Sequence, residues 1–297
     1  MNGLYAQQDP MYTQYMFNGL LYNPAYAGSH QDMSFTLQNR FQWLKMEGAP
    51  STFVMTAHTL LEDQFNGVGA VLFRDQIGAT VQTGLKGVFS HKILLAKKDA
   101  SLTLGVQGGL VNYRTNFQDL LIKDEDDLVF ESSLSKILPN FGGGMLYAGK
   151  NYYLTFSIPR IVNNKLVAKS TGTESKESTH FYAGGGFSLP FSKDYVLKPN
   201  ALVRVVAGAP IQTDMNLNFE MYAKYWVGVS YRLGESVDLL FESKIMDKLR
   251  IGYSYDLNVN QLKAYVGSSH EIMINYRMGS NQSKGKQRPY NPRYFGA

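Results

Sequence analysis

The chain has 297 residues, no cysteine and a formal charge of +5 at pH 7. The lack of cysteine excludes a disulfide framework and a thiolate metal site, and the scattered cations form no basic helix or aromatic platform for nucleic acid. Charged residues reach 18% against the ~25% usual in soluble domains, aromatics reach 13% and glycine is plentiful, a mixture suited to a membrane barrel with aromatic girdles.

Residues 1–6 end in Leu4-Tyr5-Ala6 and read as a signal-peptide remnant, with the mature chain starting near Gln7. Residues 7–31 form a non-barrel segment ahead of the strands. Its Tyr12, Tyr15, Phe17, Tyr22 and Tyr26 are amphipathic anchors of the kind enriched at interfaces. Asn23-Pro24 fixes a turn, and Ala27-Gly28 permits close backbone approach. Those features suit a periplasmic docking or plugging element and equally a cap over the periplasmic mouth.

From Met33 the chain alternates with period two: Met33, Phe35, Leu37, Phe41 and Trp43 on one face, Ser34, Thr36, Gln38, Arg40 and Gln42 on the other. Segments of this kind recur at 32–44, 51–61, 67–75, 77–91, 100–113, 139–149, 151–160, 178–189, 195–207, 211–222, 223–233, 236–245, 248–257 and 268–278. Many run to ~9–12 residues, the length a tilted strand needs to cross a bilayer, and no run of ~18 apolar residues offers a spanning helix. Arg40, Asp214, Glu220, Arg250 and Arg277 sit in mid-strand on the polar side, tolerable toward a wet lumen and costly in a dry sandwich. The expected fold is therefore all-β: a transmembrane, antiparallel, up-and-down β-barrel of about fourteen strands over 32–278.

The two longest gaps, 114–138 and 161–177, both follow odd-numbered strands and fall on the cell surface if the N-terminus is periplasmic. In the first, Asp119 to Ile122 followed by the acidic run Asp124 to Asp127 fits a short helix or lid; the run reads as a solvated loop face ahead of a cation site, and Asp119, Asp124 and Asp126 are candidate contacts for a partner. The triplets Gly142-Gly143-Gly144 and Gly184-Gly185-Gly186 read first as points of barrel curvature, second as places where a plug or ligand backbone comes close. Gly144, Gly149 and Lys150 imitate a phosphate-binding loop, but Asn151 stands where Ser or Thr is required and no helix follows. Residues 279–297 form a flexible basic tail containing Lys284, Lys286, Arg288 and Arg293.

Histidines 30, 58, 91, 180 and 270 share no metal-ligand spacing. Ser90-His91 and Ser269-His270 are consecutive strand residues, which point to opposite faces and cannot act together as nucleophile and base. The chain is thus expected to be no enzyme, with no metal site and no cofactor.

The block Gln7-Gln8-Asp9-Pro10-Met11-Tyr12-Thr13-Gln14-Tyr15-Met16-Phe17-Asn18, followed by Asn23-Pro24-Ala25-Tyr26-Ala27-Gly28-Ser29, closely resembles the N-terminal signature of the PorP/SprF family of the type IX secretion and gliding systems. Pro139 to Gly144, Tyr195 to Arg204 and Ser269 to Ile272 extend the resemblance over nearly the whole mature chain. It implies a fourteen-stranded outer-membrane barrel that docks, anchors or assists a large secreted protein, an adhesin with a type B C-terminal domain, or links to periplasmic ring or peptidoglycan-binding components. Expected partners are those proteins and outer-membrane lipid, with no nucleic acid. Candidate partner-binding residues are Tyr12, Gln14, Tyr15, Phe17, Asn18, Asn23, Pro24, Tyr26, Gly28, Asp119, Asp124 and Asp126. The rival reading is a passive channel for small solutes, suggested by the charged lumen positions.

Overall fold

Strands with one apolar and one polar side leave no backbone group unpaired in lipid only when their sheet closes on itself. The computed structural model, which describes residues 10–30, 32–95, 100–116, 134–162, 165–167, 174–176, 178–261 and 263–279, is such a closed sheet. Its fourteen antiparallel strands are β1 (Met33–Phe41), β2 (Ser51–Leu60), β3 (Asn66–Ile77), β4 (Thr80–Leu95), β5 (Ala100–Thr115), β6 (Leu134–Ala148), β7 (Tyr152–Ile158), β8 (His180–Phe187), β9 (Tyr195–Val206), β10 (Gln212–Met221), β11 (Tyr225–Arg232), β12 (Ser236–Met246), β13 (Leu249–Asn258) and β14 (Ser269–Met278). Each pairs with its neighbours in sequence, Leu189–Pro190 prolonging β8 along β9, and β14 pairs with β1 to close the ring. Lys165–Val167 and Glu174–Lys176 form a separate two-stranded hairpin between β7 and β8.

The two faces of the wall differ as the alternation requires. Leu37, Met55, Leu85, Val106, Leu110, Leu154, Leu217, Val229 and Leu239 are exposed on the outside, a surface for lipid. Their sequence neighbours Gln38, Val54, Thr56, Asn216, Asn218, Ser230, Asp238 and Leu240 are buried inside. Tyr147, Tyr152, Phe187, Tyr195 and Tyr222 cluster at one rim, with Tyr195 and Tyr222 sharing a hydrogen bond of 2.7 Å, as in an aromatic girdle. β1 starts and β14 ends at this rim, whose connections are short, so it is the periplasmic one. In the β2–β3 turn there, the amides of Asn66 and Phe65 donate to Asp63 and hold its carboxyl below the usual range.

Several strand boundaries differ from expectation. β1 stops at Phe41 rather than running on to 44, because Trp43 adopts a left-handed φ of 54° and the chain turns. β5 runs to Thr115, and β6 starts at Leu134 rather than at 139. Pro139 is tolerated within β6 because the ladder with β7 begins only at Gly143, so its missing N–H faces no β7 partner. The upper parts of β5 and β6 therefore extend beyond the β7 ladder; outward residues change along β4 and β5 from Leu85 and Leu110 to Thr83, Asn112 and Arg114, while Ile137 of β6 is apolar and exposed. The long connection shrinks to 116–133. Asp119, Asp124 and Asp126, the signal-peptide remnant at 1–6 and the basic tail lie outside the described residues.

Candidate functional site: a segment threaded through the lumen

The interior of the barrel is occupied by its own N-terminal segment. Residues 10–30 run through it in three short 3-10 turns, Tyr15–Phe17, Gly19–Leu21 and Pro24–Tyr26. The Asn23 side chain accepts from the Ala25 amide at 2.8 Å ahead of Pro24, the turn expected of an Asn-Pro pair. At the lower end His30 stacks on His58 with ring centres 5.1 Å apart, just before β1 begins. At the upper end the Arg204 guanidinium, close to the surface end of β9, donates to the Met11 sulfur. The segment thus traverses the lumen from the periplasmic rim toward the cell-surface rim.

A polar clasp holds its upper part. The Glu271 carboxylate of β14 accepts from the backbone amides of Thr13 and Gln14, at 2.9 Å each, and from the Gln38 side chain at 2.8 Å. The same carboxylate pairs with Arg40 at 3.3 Å, and Arg40 reaches Asp256 of β13 at 2.6 Å. The Thr13 hydroxyl donates to Asp256 at 2.8 Å and accepts from Arg40 at 2.9 Å. Lower down, the Asn23 amide donates to the Thr155 hydroxyl and the Met145 carbonyl, at 2.6 and 2.8 Å. The Ser157 and Ser90 hydroxyls donate to the carbonyls of Tyr22 and Ala27.

Apolar contacts complete the fit. Phe17 meets Trp226 edge to face at 5.0 Å over Met273, which explains why an apolar Met273 interrupts the polar face of β14. Tyr12, Leu20 and Ala27 lie against Val54, Val71 and Val88, while Tyr15 meets Tyr182 and Leu202. Among the described residues, cavities of about 20 Å³ lie between segment and wall beside His30 and beside Tyr153, each roughly the space of one water molecule.

Backbone approach is closest at glycines. A methyl group on Gly105 would overlap the backbone of Pro24 and Ala25, and one on Gly144 would overlap the Asn23 side chain. Gly144 therefore makes room for the segment, whereas the triplet at 184–186 meets wall residues instead. Gly105→Ala is expected to destabilise the folded barrel by ~1–3 kcal/mol, the cost of overpacking a close contact. The temperature at which the folded form is lost on denaturing gels measures this; an unchanged transition would mean that the segment shifts at no cost.

The mid-strand charges meet a filled interior. Arg40, Asp214, Glu220 and Arg250 are buried and paired, with Lys198–Glu220 at 2.5 Å, Arg232–Asp214 at 3.0 Å and Arg250–Glu242 at 3.0 Å besides the Arg40 pairs, while Arg277 is half-buried against Asn275 and His30. Ser90 points inward while His91 bonds Asn66 outside, and Ser269 and His270 diverge in the same way, as the alternation requires.

Of the sequence-derived candidates, Tyr12, Gln14, Tyr15, Phe17, Asn18, Asn23, Pro24 and Gly28 are buried inside the barrel, and Tyr26 is half-buried beside Tyr153. They meet the wall, and their partners Glu271, Trp226, Thr155, Gly105 and Gly252 were not among the candidates. The signal available in the sequence was the presence of Gly105, Gly144, Gly252 and Met273 at inward positions that elsewhere carry polar side chains.

Solved structures of similar shape are outer-membrane proteins. A FadL homologue of Pseudomonas aeruginosa is 12% identical, with a TM-score of 0.50 over 92% of this chain and 95% of its own. Omp33 of Acinetobacter baumannii is 9% identical, with a TM-score of 0.47 over 84% of this chain and 99% of its own. At such identities the likeness concerns the fold alone. No curated protein matches the chain in sequence. The barrel is an outer-membrane protein. A family model described as type IX secretion system membrane protein PorP/SprF matches residues 4–276, and the chain belongs to that family.

Proposed function

We propose that the barrel is a non-enzymatic docking component of type IX secretion, holding a large secreted surface protein at the outer membrane through its cell-surface end. The cargo class is an adhesin with a type B C-terminal domain. The observation that carries this reading is the filled lumen. A barrel whose interior is occupied by its own residues 10–30 has its rims and protruding strands left for binding. The raised ends of β5 and β6 and the connection at 116–133, with Asp119, Asp124 and Asp126, form the proposed contact. The candidates Tyr12 to Gly28 meet a partner directly only if the segment leaves the barrel. The alternative of a passive solute channel is disfavoured by the same filled lumen, and linkage to periplasmic machinery would use the opposite rim.

The test is mild detergent purification of the tagged protein from native outer membranes, with mass spectrometry of what stays bound. A secreted surface protein in near-equal amount, lost when residues 117–133 are replaced by a short Gly-Ser linker, is the expected result. Co-purification of periplasmic ring or peptidoglycan-binding proteins alone would move the role to the other rim. A reproducibly bare barrel would overturn docking.

A further inference from the structure

Under the surface rim, β12 and β13 place Asp238 directly opposite Asp256 on the inner face of the wall. Asp238 is fully buried and neither of its carboxylate oxygens makes a hydrogen bond within the protein; Arg232 Nη2 approaches one of them only to 4.0 Å. On Asp256, Oδ2 is held by Arg40 and Thr13, while Oδ1 is buried without a partner. Ser236, two residues before Asp238 on the same face, is 1% exposed, and its hydroxyl also lacks a partner. Four oxygens from three neighbouring side chains are thus buried together and unsatisfied, where nearly all buried polar atoms find partners. Charge points the same way. The two guanidiniums in this cluster, Arg40 and Arg232, face four buried carboxylates, Asp214, Asp238, Asp256 and Glu271.

From this juxtaposition we infer a cation site between Asp238 and Asp256, taking a hard divalent ion of the Ca2+ class through Asp238 Oδ1 and Oδ2, Asp256 Oδ1 and Ser236 Oγ. All four donors are oxygens, two of the groups are carboxylates, and Ca2+ accepts such sets with water completing its shell. The ion would also offset the excess negative charge of the cluster. Because Asp256 binds Thr13 through its other oxygen, the ion would sit one carboxylate away from the threaded segment and stiffen its clasp. The inference stands apart from the docking role.

The full chain in detergent, stripped with a chelator and dialysed, is titrated with Ca2+ by calorimetry, and its melting temperature is followed with and without the ion. Stoichiometric uptake with a raised melting temperature is expected. Asp238→Asn should abolish both effects, and Ser236→Ala, which keeps the charges, should weaken binding several-fold. No uptake by the wild-type chain would overturn the site, leaving the two carboxyls to share a proton. Equal uptake by D238N would place the ion elsewhere, for instance on bound glycolipid, and would overturn it as well. If D238N fails to insert, the comparison of wild type with S236A decides: equal affinity in the two sinks the assignment.

Discussion

A chain lacking residues 10–28 is expected to insert as a barrel and to conduct ions steadily in planar bilayers, while the intact chain stays closed. Fourteen strands enclose more than their inward side chains can fill, and here the difference is made up by the segment. Its removal exposes Arg40, Asp214, Arg232, Asp238 and Glu271 to water, so the opened passage should be polar and hydrated. The shortened barrel should also melt earlier. Burying each large apolar side chain contributes about 1.5–3 kcal/mol, and Tyr12, Tyr15, Phe17 and Leu20 are all buried in the intact chain. Equal conductance of the intact and shortened chains would show that the segment does not seal the barrel and would revive the solute-channel reading.

Glu271→Ala should have the largest effect of any single substitution. The carboxylate is fully buried and serves four donors, the Thr13 and Gln14 amides, the Gln38 amide group and Arg40. Truncation leaves Arg40 with Asp256 as its remaining carboxylate and two backbone amides unmade, a loss of roughly 3–5 kcal/mol for one partner of a buried ion pair. Glu271→Gln keeps an acceptor but removes the charge and should fall between the two. Thermal melts rank the three chains, and limited proteolysis near Pro10 reports whether the segment has loosened. A melt of E271A within a degree or so of wild type would mean that the clasp contributes little and that aromatic contacts such as Phe17–Trp226 hold the segment.

The wall was legible in the sequence because strand periodicity is local: residues two apart share a face, whatever the rest of the chain does. All fourteen strands stand where the alternation put them, with errors confined to ends such as Trp43 and Leu134. The charges on the polar face were equally visible, but their partners were not. Arg40 meets Asp256 and Glu271, which are far away in sequence, only through the closure of β1 on β14 and the register between β13 and β14. Asp238 and Asp256 face each other by that same kind of register, which a slip of one residue would undo. For residues 10–30 the aromatic composition fits docking, capping and plugging alike, and the small inward residues Gly105, Gly144 and Gly252 decide among them only once the segment is seen against them.

A segment that enters at the foot of β1 and reaches the top of β9 couples its own seating to the closing of the wall. It lies inside the ring that the β1–β14 seam completes, and that seam joins the strand that follows the segment directly to the last strand of the barrel. The Glu271 clasp spans the same region, with β14 gripping Thr13 and Gln14 beside Arg40 of β1. Seating the segment and joining the seam thus draw on the same carboxylate, and a misplaced segment would leave Glu271 without two of its donors.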